Sequence, residues 1–281
     1  FKNSESITLR YDMHNQFTDI TKLAQGLVLN NFSNIQFGEP ELQNALSHNL
    51  SLLYSSFNLF NYTNVFARLA YSKNIDQIRN ITSFENVIST NTFFNSNFAD
   101  ESATAFGRIQ RTFGKLIASV NLSFNYSKIN QLIDSRRSVN TGFTRSYTPR
   151  LRTNFKKAPN ISLKYKYTVS INNQGPNETT FYTSAPSLDF DAYIWKSVTL
   201  KTDYTFTNQS LRGGNSDNFQ TWNASISYRK NRDTKWEFEV VATNLLDIDS
   251  KVSNTATNLF VSESRIFIQP RFITFRLRYE L

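Results

Sequence analysis

Apolar and polar residues alternate one for one along most of this chain. Between Ile161 and Ile171, the apolar Ile161, Leu163, Tyr165, Tyr167, Val169 and Ile171 are separated by Ser162, Lys164, Lys166, Thr168 and Ser170. Successive side chains of a strand point to opposite faces, so the spacing predicts a strand with one oily and one wet face. Burying two lysines in a soluble core would be costly, whereas lining a watery lumen with them is not. Similar faces occur at Ile7–Met13, Val65–Tyr71, Leu116–Tyr126, Val198–Phe206, Trp222–Tyr228, Trp236–Ala242 and Ile273–Leu281. Weaker ones lie near Leu46–Ser56, Ala103–Thr112, Phe143–Phe155 and Tyr182–Ile194. Pro149 cannot donate to a ladder, so a bulge or bend is expected in the strand that holds it. About twelve dyad strands in one chain predict an all-β fold, a transmembrane antiparallel up-and-down β-barrel with lipid outside and water inside.

The connections alternate between short and long. Short ones fall near Asn58–Tyr62, Phe113–Lys115, Lys156–Asn160, Trp195–Ser197 and Lys230–Lys235. Long ones fall near His14–Ala45, Arg79–Ser102, Gln131–Gly142, Asn172–Thr180, Gln209–Asp217 and Leu246–Ile266. Outer-membrane barrels have short periplasmic turns and longer extracellular loops, so the first strand rises from the periplasm and the last descends into it.

Composition changes this picture little. A hydrophobic share of 39% would suit a soluble β-sandwich, the competing fold, and no apolar run approaches the ~20 residues of a membrane helix. Barrels escape that test because every second strand residue faces water. The 25 Phe and 13 Tyr fit aromatic girdles at two membrane interfaces. The absence of Cys removes thiol chemistry and disulfides. The net charge of +9 is spread over many strands without an aromatic-basic nucleic-acid motif, so no nucleic-acid partner is expected. The sequence opens on Phe1 without a signal peptide or initiator Met, which suggests either a signal already removed or, preferred here, an upstream portion.

Three stretches resemble the C-terminal part of TonB-dependent receptors, in particular the barrel family common in Bacteroidetes outer membranes. Phe37-Gly38-Glu39-Pro40-Glu41-Leu42 is similar to that family's Gly-Asn-Pro-x-Leu loop, with Glu39 in place of Asn, and leads into Ser47–Ser55. Asn244-Leu245-Leu246-Asp247 resembles the close of its penultimate strand, and Gln269-Pro270-Arg271 the entry to its terminal one. The resemblance implies a barrel of ~22 strands around a plug. Residues 1–281 would then be its C-terminal portion, with the plug and earlier strands outside this sequence. It implies energised uptake of a scarce nutrient (siderophore, glycan or peptide), with outer-membrane lipid, lipopolysaccharide and a TonB-type complex as partners. A surface lipoprotein lid is a further possible partner. Ending on Leu281 departs slightly from the Phe common in such chains.

Candidate chemistry is sparse. By strand phase Arg10, Arg68, Arg108, Lys164 and Lys166 point inward, either as a solvated wall or as a basic stripe that attracts an anionic solute. Asp189, Asp191, Lys201 and Asp203 suggest a local cross-strand network. Phe32, Phe93, Phe94 and Phe98 fall in expected extracellular loops, where aromatics grip ligands or pack loops together. His14 and His48 are the only histidines, and His48 beside Ser47 or Ser51 is the sole local hint of an outer-membrane hydrolase. Gly213-Gly214 lacks the residues of a phosphate cradle. No catalytic set, metal or cofactor is expected. Three readings compete with the receptor: a self-contained ~12-stranded passive pore, an accessory subunit of a larger outer-membrane complex, and that hydrolase.

Overall fold

The computed structural model describes residues 4–280 apart from 33, 86–87, 134–135, 157–158, 176, 196, 215, 232 and 257–260, so the terminal Leu281 lies outside it. The chain forms β1 (Glu5–Gln16), the short helix α1 (Ile20–Leu23), β2 (Leu27–Asn31), β3 (Asn34–Phe37), β4 (Ala45–Asn58), β5 (Thr63–Ile75), β6 (Ile78–Glu85), β7 (Ile88–Asn95) and β8 (Asp100–Phe113). There follow β9 (Leu116–Ile133), β10 (Arg136–Thr153), β11 (Asn160–Gln174), β12 (Asn177–Ile194), β13 (Val198–Leu211), β14 (Ser216–Tyr228), β15 (Trp236–Thr243), β16 (Ser250–Ala256), β17 (Val261–Phe267) and β18 (Phe272–Tyr279).

The dyad segments build a single antiparallel sheet of twelve strands in the order β1-β4-β5-β8-β9-β10-β11-β12-β13-β14-β15-β18. Each expected strand is present, beside the neighbours that an up-and-down path requires. Cross-strand partners share a face, and the register lines oily residues up with one another. One row runs Leu9, Leu52, Leu69, Ala105, Phe124, and another runs Leu151, Leu163, Leu188, Tyr204, Trp222. β1 and β18 stand at the two ends of the strand order, with no ladder joining them among the described residues.

Among the described residues no second layer covers the oily face. Leu9 is 68% exposed, Leu163 and Ile226 52%, and Ile273 69%, while the buried apolar side chains among the described residues are Ala45, Ile117, Val169, Phe181 and Ala192. The accessible surface is 19041 Å². A compact globule of this mass would expose roughly 12,400 Å². The sheet is a single wall, oily on one face and polar on the other.

Two expectations need correction. Gln131–Gly142, Asn172–Thr180 and Gln209–Asp217 are not long loops: the flanking strands run on as paired hairpins, through Ser138↔Gln131, Asn172↔Thr179 and Gln209↔Asp217. Both faces there carry polar residues, so the dyad contrast fades while the backbone ladder continues. Nor does Pro149 make a bulge. It pairs with Val120 in an unbroken ladder to β9, while toward β11 pairing stops at Tyr147↔Tyr167 and resumes in the same register at Arg150↔Lys164. The missing N–H costs ladder contacts without slipping the strand.

The remaining long connections do carry structure. β2, β3, β7 and β6 form a four-stranded sheet that joins the first two loops through the parallel pair β3–β7, and β16–β17 is a hairpin in the last.

Candidate functional site

The polar face gathers charge unevenly. Arg68, Arg108, Lys164 and Lys166 lie on β5, β8 and β11, with Arg150 of β10 directly opposite Lys164. Arg150 had escaped the sequence reading because Pro149 obscured the phase of β10. Its Nε donates to Ser162 Oγ at 2.9 Å and its guanidinium lies 3.5 Å from Asp189. Arg108 Nη2 donates to Gln110 Oε1 at 2.6 Å. Arg10 stands apart on the end strand β1, tied to Asp12 at 3.1 Å. The acids collect on β12 and β13, where Asp189 faces Asp203 and Asp191 faces Lys201. Nearer the end of the sheet, Arg276 meets Glu239 at 3.5 Å and Arg278 meets Glu237 at 3.4 Å across β15–β18. The central strands thus carry a basic field bordered by an acidic one, and the terminal strands neutralise themselves. Such a face can steer an anion along it.

The four loop phenylalanines do not form one site. Phe93 and Phe94 line a hollow of about 430 Å³ with Glu39, Glu41 and Asp76, where Lys22 stands 5.5 Å from the Phe93 ring. Phe98 packs under the Arg137 guanidinium at 4.2 Å, and Phe32 is 95% exposed. Behind them is a network that the sequence did not disclose. Arg79 of β6 meets Asp100 at 2.5 Å, Asp100 accepts from the backbone N–H of Asn130 at 2.8 Å, and the fully buried Asn130 accepts from Arg137 at 2.7 Å. These groups pin the second loop to β8, β9 and β10, holding the hollow in place.

The resemblance motifs have local physical causes. A Cβ on Gly38 would come 2.2 Å from the carbonyl oxygen of Ala24, so the turn after β3 accepts only glycine while α1 packs against it. Asn244 and Asp247 adopt positive φ of 53° and 57°. Asn244 Nδ2 donates to the carbonyls of Ile248 at 2.7 Å and Gln269 at 3.0 Å, and Asp247 Oδ1 accepts from the Arg271 N–H at 2.9 Å. Two motifs separated in sequence are therefore one clasp between β15 and β18. Beyond it, Arg229 Nη2 donates to Glu280 Oε2 at 2.6 Å while Arg229 Nη1 reaches Oε1 at 3.0 Å. This two-point hydrogen bond, together with the guanidinium charge, holds the Glu280 carboxyl below its ordinary range.

The hydrolase hint does not assemble. His48 Nδ1 and the Tyr11 hydroxyl are 2.7 Å apart on the oily face, whereas Ser47 and Ser51, odd-numbered neighbours, point to the polar face.

No protein-family model and no curated protein matches this chain. Among solved structures it is similar to OmpT, an in-vitro folded outer membrane protein of Vibrio cholerae in trimer form, at 8% identity over 99% of each chain with a TM-score of 0.43. A likeness this loose leaves the functional reading to the residues described above.

Proposed function

We propose that the chain is part of an integral β-barrel of the bacterial outer membrane, and that the whole protein is a receptor for energised, TonB-dependent uptake of a scarce nutrient. The observation that carries the membrane assignment is the uncovered oily face, which extends over twelve strands and is interrupted by Arg111 and Arg145. At ~25 cal/mol per Å² an apolar wall in water is untenable, and lipid is the medium that suits it. The transport reading leans on the three motif resemblances. It draws further support from the basic field on the opposite face, which suits an anionic solute or a plug, and from the Phe93–Phe94 hollow among the loops. In this reading the protein works as gated conduit and receptor without making or breaking bonds. Its partners are membrane lipid, lipopolysaccharide and an energising complex acting through a plug outside this sequence, with a surface lipoprotein lid as a possible further one.

Uptake in cells with and without the energising complex tests this. Loss of uptake is expected, and undiminished uptake would refute it. A passive pore is the second reading, favoured by the even number of strands and by β1 beginning and β18 ending at the short-turn end of the sheet, where Phe57 N–H bonds Ser4 and Glu280 N–H bonds Lys235. It predicts steady conductance of the purified protein in a planar bilayer.

A further inference from the structure

The oily face is not uniform. Across β8–β13 it sinks into an apolar trough of about 940 Å³, the size of the larger small-molecule sites. Its depth follows from short side chains between long ones: Ala118, Pro149 and Pro186 lie between Ile109 on one flank and Leu188 and Tyr204 on the other. Tyr165 sits between the two prolines, opposite Pro186 in the register. At the short-turn end the trough is headed by Arg111, whose guanidinium lies 4.9 Å from the ring of Phe113. Arg111 alternates with Gln110 and so projects from the oily face, unlike the basic residues of the polar field. The partners that the register gives it are Thr63 and Ala118, and no carboxylate pairs with it among the described residues.

A cation on a lipid-facing surface is expensive at the midplane and cheap at the interface, where its stem lies along apolar surface and its head reaches phosphate. We propose that the trough is a lipid site: it holds acyl chain of a glycerophospholipid from the periplasmic leaflet, whose phosphate is bound by Arg111. The two halves of such a lipid match the two halves of the site. Ser119, Arg150, Lys164 and Ser187 also border the trough but form one register row on the polar face, so the oily side of the lining is apolar except for Arg111, which stands at the end where the headgroup layer would lie. The inference rests on the membrane assignment of this face and not on transport.

The test uses the full protein, extracted folded from outer membranes in mild detergent, delipidated, and offered phosphatidylglycerol or the corresponding diacylglycerol. These share acyl chains and differ in the phosphate. Bound lipid is counted by native mass spectrometry, and folding is checked by heat-modifiable gel mobility. Phosphatidylglycerol should be retained over diacylglycerol by about fivefold, as expected for one partly exposed ion pair. R111Q should abolish that preference and R111K keep most of it, while A118L, which fills the trough, should lower retention of both lipids. If A118L fails to fold, R111Q and R111K decide alone. Arg145 also projects from the oily face, opposite Phe124 and outside the trough, so R145Q should leave the preference intact. Equal retention of the two lipids, or an equal loss in R145Q, would show only nonspecific annular lipid and overturn the proposal. A failed uptake experiment would leave this result untouched.

Discussion

Leu163 and Lys164 are adjacent, equally placed in β11, and face opposite ways. In a membrane wall Leu163→Lys should cost ~2–4 kcal/mol, whereas Lys164→Leu should cost little. Urea titration of the protein refolded into lipid vesicles measures the difference, and equal costs would invert the assignment of faces. Asn244 offers a test of another kind. Asn244→Ala removes both side-chain donors to the clasp and places alanine at positive φ, so it should destabilise by about 1–3 kcal/mol. The same titration reads it, with Asn244→Gly recovering only the backbone part. The pleat itself accounts for what the sequence could not show about His48. Nearness along the chain suggested a serine partner, but one residue of offset in a strand means the opposite face.

At the scale of elements, legibility followed contrast. Where one face is oily and the other polar, as in β11 or β18, alternation disclosed strand, face and neighbours together. The outer ends of β9–β14 were missed because polar residues on both faces erase the period while the ladder persists. The loop sheet was missed for a related reason: β3 pairs with β7 from a different connection, and no local pattern encodes a parallel pairing across more than fifty residues. Pro149 misled twice, suggesting a bulge that is absent and hiding the phase of Arg150. The Arg229–Glu280 bridge closes the last strand, and its behaviour with pH follows from sign. The folded-state pKa of Glu280 lies below the ordinary 4.5, so its stabilisation is present above that value and is lost as pH falls through the folded pKa. Glu280→Gln should therefore weaken anchoring of β18 at neutral pH, and the gap between variant and parent should narrow below about pH 4.5. Thermal unfolding measured across that window checks it.

The whole molecule is defined by what it lacks among the described residues, namely a covered apolar layer. An accessible surface of 19041 Å² on a chain of this size means that folding buries little of the oily face against protein, and the proposed membrane setting supplies the missing layer as lipid. The candidate site is less legible than the fold at this scale. Sequence phase put Arg68, Arg108, Lys164 and Lys166 on one face, and the register keeps them together there. Phase alone could not tell that Arg10 would sit apart at the end of the sheet, that the acids would border the basic field on β12 and β13, or that Phe98 would pack against Arg137. Such facts depend on register between strands, which alternation within one strand does not contain.

The gap in pairing beside Pro149 has a counterpart. Between β12 and β13 the ladder stops at Ser184↔Asn208 and resumes at Ser187↔Thr205, skipping Pro186. Both gaps fall on one register row, with Tyr165 between them. Interstrand hydrogen bonds are what give a β-wall its bending stiffness across the strands, and here two of three consecutive seams lose them at the same height. The wall therefore has a line of fewer ladder bonds, along which bending is easier. Stress on the sheet would be taken up along that line first. The amides flanking the two prolines should exchange hydrogen sooner than others at the same depth.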